Sequence, residues 1–307
     1  MTIFIDLVVI AFSIAALWIG AVWVVTSASK LAKKLGLSEL VIGLTIVAIA
    51  TSAPEFAVTV VAAINGQSAI SVGNVIGSNI FNLGIILGIV SIFSVMQTDR
   101  KLLYRDGSIL IFCGLILLWF YYDLVLEFHE GIILFMLLVG YVIYLIKTGA
   151  AIEEEIPEGE FTLIDIPKLI VGIALIILAA DFLVDSASEI ARVFGLSEWM
   201  IGVTIVAAGT SIPELATSVV AVIKGRHGIS AGNLIGSDIF NMLGVLGVAS
   251  IIRPLTISEA DYTSLILLAV SMVVLFIILR TNWKITKLEG IILILIALAR
   301  WSIVFIN

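Results

Sequence analysis

Charge is scarce in this sequence. Only 13 % of its 307 residues are Asp, Glu, Lys or Arg, and 61 % are hydrophobic, whereas soluble domains carry about a quarter charged and about half apolar residues. A large soluble core cannot absorb that difference. Cysteine is nearly absent: Cys113 is the single one, inside an apolar run, which excludes a disulfide framework and a cysteine metal cluster. Histidine is as rare, with His129 and His227 both read as loop residues. The sequence has no G-x-S-x-G, no H-E-x-x-H and no pair of catalytic histidines, so an intramembrane enzyme finds no footing. Short alternating segments of the kind that build a membrane β-barrel are missing too. No basic residue precedes the first apolar run, near Ile3 to Val25; Asp6 lies within it, and Lys30, Lys33 and Lys34 follow it. A cleavable leader carries its positive charge in front, so this run reads as a retained helix with its N-terminus outside.

Long apolar runs are what the sequence does have. Segments of about 20 residues recur along its whole length, the signature of membrane-spanning helices. The expected fold is an all-α polytopic membrane protein with ten spans, near 3–27, 38–63, 70–94, 107–122, 128–147, 164–188, 197–223, 229–252, 260–279 and 285–305. The longest connection, 149–163, holds Glu153, Glu154, Glu155, Glu158 and Glu160 without apolar periodicity. It reads as a solvated linker, and nothing in it matches a calcium loop. The loops after odd-numbered spans hold 13 of the 16 Lys and Arg residues, leaving Arg192, Arg253 and Arg300 on the other side. Positive charge is retained on the cytoplasmic side, which places the linker there and both termini outside. The localisation that follows is a multi-pass protein of the cell membrane.

The most specific feature is a gapless internal repeat at an offset of 159. Residues 36–82 and 195–241 share 30 of 47 positions, including T-S-x-P-E (51–55 and 210–214) and I-G-S-x-I-F-N (76–82 and 235–241). The copies start five spans apart. Five is odd, so they face opposite ways in the bilayer, and inverted repeats of this kind mark secondary transporters with a site near mid-membrane. The expected organisation is a first five-helix repeat, 1–148, the linker 149–163, and a second five-helix repeat, 164–307. A duplicated scaffold that only packs would explain the glycines; it would not explain duplicated carboxylates.

Each copy sets Thr, Ser, Pro and Glu inside an apolar helix: Thr51, Ser52, Pro54 and Glu55, then Thr210, Ser211, Pro213 and Glu214. A carboxylate at that depth costs on the order of 3 kcal/mol, and two would repel each other. No Lys, Arg or His lies between Lys34 and Arg100, between Arg192 and Lys224, or between His227 and Arg253. A bound cation is the natural compensator. Pro54 and Pro213 lack the N–H that would bond the carbonyls of Ala50 and Gly209, and backbone opened in this way is tolerated where it lines a cavity. Carbonyl, hydroxyl and carboxylate oxygens together suit hard cations such as Ca²⁺ and Na⁺, and no soft ligand is present. Thr51 with Glu55, Ser78 with Asn82, and Ser237 with Asn241 are i,i+4 pairs that share helix faces. Gly73 with Gly77 and Gly232 with Gly236 form small faces that admit close helix packing. Asp238 answers Asn79; its helical position, about 100° from Ser237, leaves a structural role and a ligand role equally open. Asp181 and Asp185 fall near the outer end of the sixth span, where a place at the water interface is the first reading and an entrance role the alternative.

These motifs, A-T-S-A-P-E with G-N-V-I-G-S-N-I-F-N and G-T-S-I-P-E with G-N-L-I-G-S-D-I-F-N, resemble the paired repeats of the cation/calcium exchanger superfamily. The whole chain is similar to a prokaryotic sodium/calcium exchanger. The resemblance implies that Glu55 and Glu214 are the central Ca²⁺ ligands, helped by the carbonyls of Thr51 and Thr210. It implies one Na⁺ position lined by Ser52, Ser78 and the carbonyl of Ala48, and its mirror lined by Ser211, Ser237 and the carbonyl of Ala207, with Asn82 and Asn241 completing the middle. It further implies competitive Na⁺ and Ca²⁺ binding, and sliding of the first and sixth helices to alternate access. In many relatives one of the positions held here by Asn82 and Asn241 is an Asp. With both as amides, the two glutamates match one Ca²⁺ and fall one charge short of three Na⁺. The expected activity is Na⁺/Ca²⁺ antiport, with H⁺- or K⁺-coupled exchange as the alternative and a cation channel further behind. The expected partners are these ions and the lipid bilayer, with no cofactor, no nucleic acid and no obligate protein partner.

Overall fold

The computed structural model describes residues 2–94, 96–97, 100–148, 160–196, 201, 204–205 and 207–306. Helices dominate: α1 (Thr2–Leu35), α2 (Glu39–Thr51), α3 (Ala53–Ile64), α4 (Ser68–Phe93), α5 (Leu102–Asp123), α6 (Phe128–Thr148), α7 (Asp165–Val193), α8 (Ala207–Gly209), α9 (Ile212–Ile223), α10 (His227–Ile252), α11 (Glu259–Asn282) and α12 (Lys287–Ile306). Among the described residues, seven helices are long and apolar enough to cross a membrane, and α2 with α3 makes an eighth as one span bent by 49°. The two remaining expected spans fall on α8–α9, whose upstream residues 197–200, 202–203 and 206 lie outside the description, and on α12. Most of the expected linker, 149–159, also lies outside the described residues.

Several boundaries differ from expectation for identifiable reasons. The first helix continues past the expected end at 27 to Leu35, so that Lys30, Lys33 and Lys34 sit on helix rather than in a loop. The fourth expected span starts at Leu102, not 107. Its first turn is a π-turn, Leu102–Gly107, that takes Arg105 and Asp106 into the protein. His129 and His227 are not loop residues either; they stand in the first turns of α6 and α10.

Four two-residue strands clamp the connections together. β1 (Met96–Gln97) pairs antiparallel with β4 (Lys284–Ile285), in register Met96 to Ile285. β2 (Val125–Leu126) pairs with β3 (Leu255–Thr256), in register Leu126 to Leu255. The pairings join the α4–α5 connection to the α11–α12 connection, and the α5–α6 connection to the α10–α11 connection. Each half of the chain is thus stitched to the other at both clamps.

Burial separates a centre from a flank. The most apolar windows of α4 and α10 are 67 % and 78 % buried, against 33 % for α1 and 28 % for α7. The main apolar core runs through α4, α5, α6, α10 and α11. A second cluster joins α1 (Ala21, Val24, Val25, Ala28) to Ile176, Ala179 and Ala180 of α7, resting on Ile42 and Val47 of α2 and Val220 of α9. The two flanking helices meet backbone to backbone: a Cβ on Gly20 would lie 2.8 Å from the carbonyl oxygen of Gly172. Their polar links lie at one end. Lys30 Nζ pairs with Asp165 Oδ1 at 3.2 Å, bridging α1 to α7. Ser29 donates to Glu39 at the start of α2, and Arg226 Nη1 meets the same carboxylate at 3.4 Å.

Candidate cation site

The site begins with two helix breaks. At Ser52 (φ −80°, ψ 12°) α2 ends and α3 starts with Pro54 in its first turn; at Ser211 (φ −90°, ψ 6°) α9 starts likewise with Pro213. Proline suits the first turn because no N–H is needed there. Glu55 and Glu214 therefore fall in the first turns of α3 and α9, where the positive end of the helix dipole favours a carboxylate. Thr51 ends α2, immediately before the break, and Thr210 lies in the turn between α8 and α9. Ala207 opens α8.

Both glutamates are fully buried, and each is held by the serine of the other motif. Ser52 Oγ donates to Glu214 Oε1 at 2.8 Å, and Ser211 Oγ donates to Glu55 Oε1 at 3.0 Å. Ser237 Oγ adds a longer bond to Glu214 Oε1 at 3.3 Å. In both glutamates Oε2 is buried with no hydrogen-bond partner among the described residues. Each acid is thus half satisfied, and a buried acceptor left open is costly unless a proton or a cation fills it.

Two asparagines, which the sequence reading passed over, anchor these breaks. Asn74 Nδ2 donates to the Glu55 carbonyl (3.2 Å) and to Thr59 Oγ1 (2.9 Å). Asn233 Nδ2 donates to the Glu214 carbonyl (3.4 Å) and to Ser218 Oγ (3.0 Å), while its Oδ1 accepts from Thr51 Oγ1 at 3.0 Å. Their signal was present, since both stand in the duplicated G-N-x-I-G-S. The second copy of that motif also needs its glycines: a Cβ on Gly232 would lie 2.5 Å from Leu40 O, and one on Gly236 would lie 2.7 Å from Leu44 O. α10 crosses α2 at backbone contact, which brings Ser237 Oγ to 3.5 Å from both Thr51 Oγ1 and the Ala48 carbonyl.

Where α4 meets α10, the amides interlock. Asn241 Nδ2 donates to Ser78 Oγ (3.3 Å) and Asn79 Oδ1 (3.1 Å); Asn82 Nδ2 donates to Asp238 Oδ1 at 3.0 Å, and Asn79 Nδ2 to the Asp238 carbonyl at 3.3 Å. Both helices pass into π-turns here, Phe81–Ile86 and Phe240–Val245; such turns occur often at functional sites. The Oδ1 atoms of Asn82 and Asn241 and Oδ2 of Asp238 are buried and without hydrogen-bond partners among the described residues. Asp238, left undecided by the sequence, proves to be a fully buried acid. Asp181 and Asp185 are exposed. Cys113 is buried in α5, and among the described residues no three His, Cys, Asp or Glu side chains converge on one point. The donor set is therefore two carboxylates with hydroxyl, amide and backbone oxygens, which fits a hard cation better than a transition metal.

The chain is similar to known proteins in sequence and fold. The sodium/calcium exchanger protein family matches residues 5–147 and 166–304. The sodium/calcium exchanger MaX1 of Methanosarcina acetivorans is 33 % identical, across 93 % of this chain and 94 % of that protein. The inner membrane protein YrbG of Escherichia coli is 34 % identical, over 78 % of this chain and 77 % of its own length. Among solved structures, the sodium-calcium exchanger NCX_Mj, soaked with zero Na⁺ and Ca²⁺, superposes with a TM-score of 0.87 at 27 % identity, covering 99 % of this chain and all of that one. The matched regions take in both T-S-x-P-E breaks and both I-G-S-x-I-F-N helices, and this chain belongs to the sodium/calcium exchanger family.

Proposed function

We propose that the protein is a secondary antiporter that exchanges Ca²⁺ for Na⁺ by alternating access. One observation carries the reading: Glu55 and Glu214 are fully buried, each keeps one oxygen without a hydrogen-bond partner, and no basic residue lies on their helices. Two such charges in a low-dielectric setting repel unless a cation stands between them. Ca²⁺, which takes 6–8 oxygens, binds between the glutamates with the carbonyls of Thr51 and Thr210. Na⁺ occupies a position by Ser52, Ser78 and the Ala48 carbonyl, and a mirror position by Ser211, Ser237 and the Ala207 carbonyl. Asn82 and Asn241 complete the set. Overlap of these positions makes the two ions competitors, which is the essence of exchange.

Ten spans arranged as inverted five-helix repeats, 1–148 and 164–307, give the site two equivalent faces. Support comes from contacts that recur at the repeat offset: Ser52–Glu214 with Ser211–Glu55, Asn74–Glu55 with Asn233–Glu214, and Asn82–Asp238 with Asn241–Asn79. α1 and α7, joined to each other by Gly20–Gly172 and by Lys30–Asp165, form the pair that slides across the remaining bundle. The acidic linker and the lysine-rich ends face the cytoplasm, with both termini outside the cell membrane.

The test is ⁴⁵Ca²⁺ uptake into proteoliposomes with an outward Na⁺ gradient as the only driving force. Uptake that collapses when the Na⁺ gradient is removed is the expected result. Uptake driven equally well by H⁺ or K⁺ gradients without Na⁺ overturns the choice of coupling ion, and single-channel currents overturn antiport altogether.

A further inference from the structure

We propose that Asp238 is a third anionic ligand of the transport site, which binds one of the coupling monovalent cations beside Asn82 and Asn241. The inference rests on the Na⁺/Ca²⁺ antiport reading and adds a residue to it. Asp238 is fully buried in α10. Its Oδ1 accepts from Asn82 Nδ2 at 3.0 Å, and its Oδ2 has no hydrogen-bond partner among the described residues. No Lys, Arg or His occurs from 228 to 252 on its own helix or from 68 to 93 on the helix that faces it. Two further open acceptors, Asn82 Oδ1 and Asn241 Oδ1, belong to the same crossing of α4 and α10. Three open acceptor oxygens, one of them on a carboxylate, suit a small cation.

The mirror position shows that the fold does not require the charge. Asn79 Oδ1 accepts from Asn241 Nδ2 at 3.1 Å, in the same way that Asp238 Oδ1 accepts from Asn82. A neutral amide does the structural work on one side; on the other, the chain buries a carboxylate without a basic neighbour. Charge counting gives that carboxylate a purpose. Glu55 and Glu214 match one divalent ion or two monovalent ions. Asp238 adds one more unit, so that three monovalent cations are neutralised together. It supplies the charge that Asn82 and Asn241, both amides, do not. Among the described residues it does not converge with both glutamates on one point, so it serves a singly charged ion beside Asn82 rather than tightening the Ca²⁺ cage.

The experiment compares wild type, Asp238→Asn, and the charge swap Asn79→Asp with Asp238→Asn in proteoliposomes. Two readouts are taken: Na⁺-driven ⁴⁵Ca²⁺ uptake over a Na⁺ titration, and Ca²⁺/Ca²⁺ exchange at zero Na⁺. For Asp238→Asn the Hill coefficient for Na⁺ falls from about three to about two, and half-saturation rises about tenfold. Its Ca²⁺/Ca²⁺ exchange falls by a smaller factor than its Na⁺-driven uptake, and the swap regains the steep Na⁺ dependence. Unchanged Na⁺ steepness and half-saturation in Asp238→Asn, with a Na⁺-responsive wild type, overturn this inference alone. Equal loss of both readouts without recovery in the swap also overturns it, since that marks a structural residue. A wild type indifferent to Na⁺ overturns the antiport reading and this inference with it.

Discussion

Two buried acidic regions of this molecule are built in opposite ways. On α5, Asp106 is fully buried and closed: Arg105 donates from Nε to Oδ1 (2.8 Å) and from Nη2 to Oδ2 (3.0 Å), and the Tyr141 hydroxyl donates to Oδ1 at 2.9 Å. At the helix breaks, Glu55 and Glu214 are equally buried, yet each has a serine on one oxygen and no hydrogen-bond partner for the other. Both arrangements bear the cost of removing a carboxylate from water. The first recovers it permanently, from a guanidinium fork and a phenol. The second can recover it only from something that comes and goes. A buried acid closed by a basic partner holds the fold; one left half open beside hydroxyls and carbonyls is equipped to meet an ion.

Substitutions should separate the two regions by phenotype. The largest effect on transport belongs to Glu55→Gln and Glu214→Gln. Each is expected to lower Ca²⁺ affinity by more than about 100-fold while leaving the melting temperature in detergent undiminished, because one of two mutually repelling charges is gone. Flux assays paired with thermal melts check both halves of that statement. Arg105→Ala should do the reverse. Removing the partner of a buried carboxylate costs about 3–5 kcal/mol of stability, whereas Ca²⁺ affinity of the protein that remains folded stays at the wild-type value. If Arg105→Ala abolished Ca²⁺ binding in well-folded protein, the contrast would fail.

Smaller substitutions sharpen the comparison within the site. Ser52→Ala strips the donor from Glu214, and Ser211→Ala strips it from Glu55. Hydrogen bonds to charged groups contribute about 1.5–3 kcal/mol, so each variant should weaken Ca²⁺ binding by about tenfold to a hundredfold, and by similar factors in the two motifs. A tenfold change in one variant and none in the other would break the equivalence of the breaks. Asn233→Ala should have the mildest effect, about threefold to tenfold on affinity, since a neutral hydrogen bond contributes about 1 kcal/mol. Asn233 holds the backbone of Glu214 rather than its carboxylate, so Asn233→Asp, which keeps only an acceptor, should not restore the wild-type value. Titration of Ca²⁺ binding to each purified variant reads these differences.

Much of this was legible in the sequence, and the misses share a cause. Hydropathy located the apolar helices, and the repeat at offset 159 picked out Glu55, Glu214 and the serines. Pro54 foretold an opened helix at Thr51 and Ser52, where a 49° bend follows. What a sequence does not print is which helices cross. Ser52 meets Glu214 across 162 residues, and Tyr141 meets Asp106 across 35. A helical wheel turned Asp238 away from Ser237 and left it undecided; its hydrogen-bond donor, Asn82, comes from another helix. The start of α5 was missed for a related reason. Arg105 and Asp106 look like loop residues when counted singly, but they neutralise each other and enter the helix as a pair.

The most direct test is Ca²⁺ binding to the purified protein, followed by titration calorimetry in Na⁺-free buffer and repeated at rising Na⁺. The half-open glutamates predict saturable Ca²⁺ binding that Na⁺ displaces, and no measurable Ca²⁺ heat in either Glu55→Gln or Glu214→Gln at the same concentrations. Wild-type Ca²⁺ affinity in a folded Gln variant would contradict the account, because these acids would then be buried for some reason other than the ion.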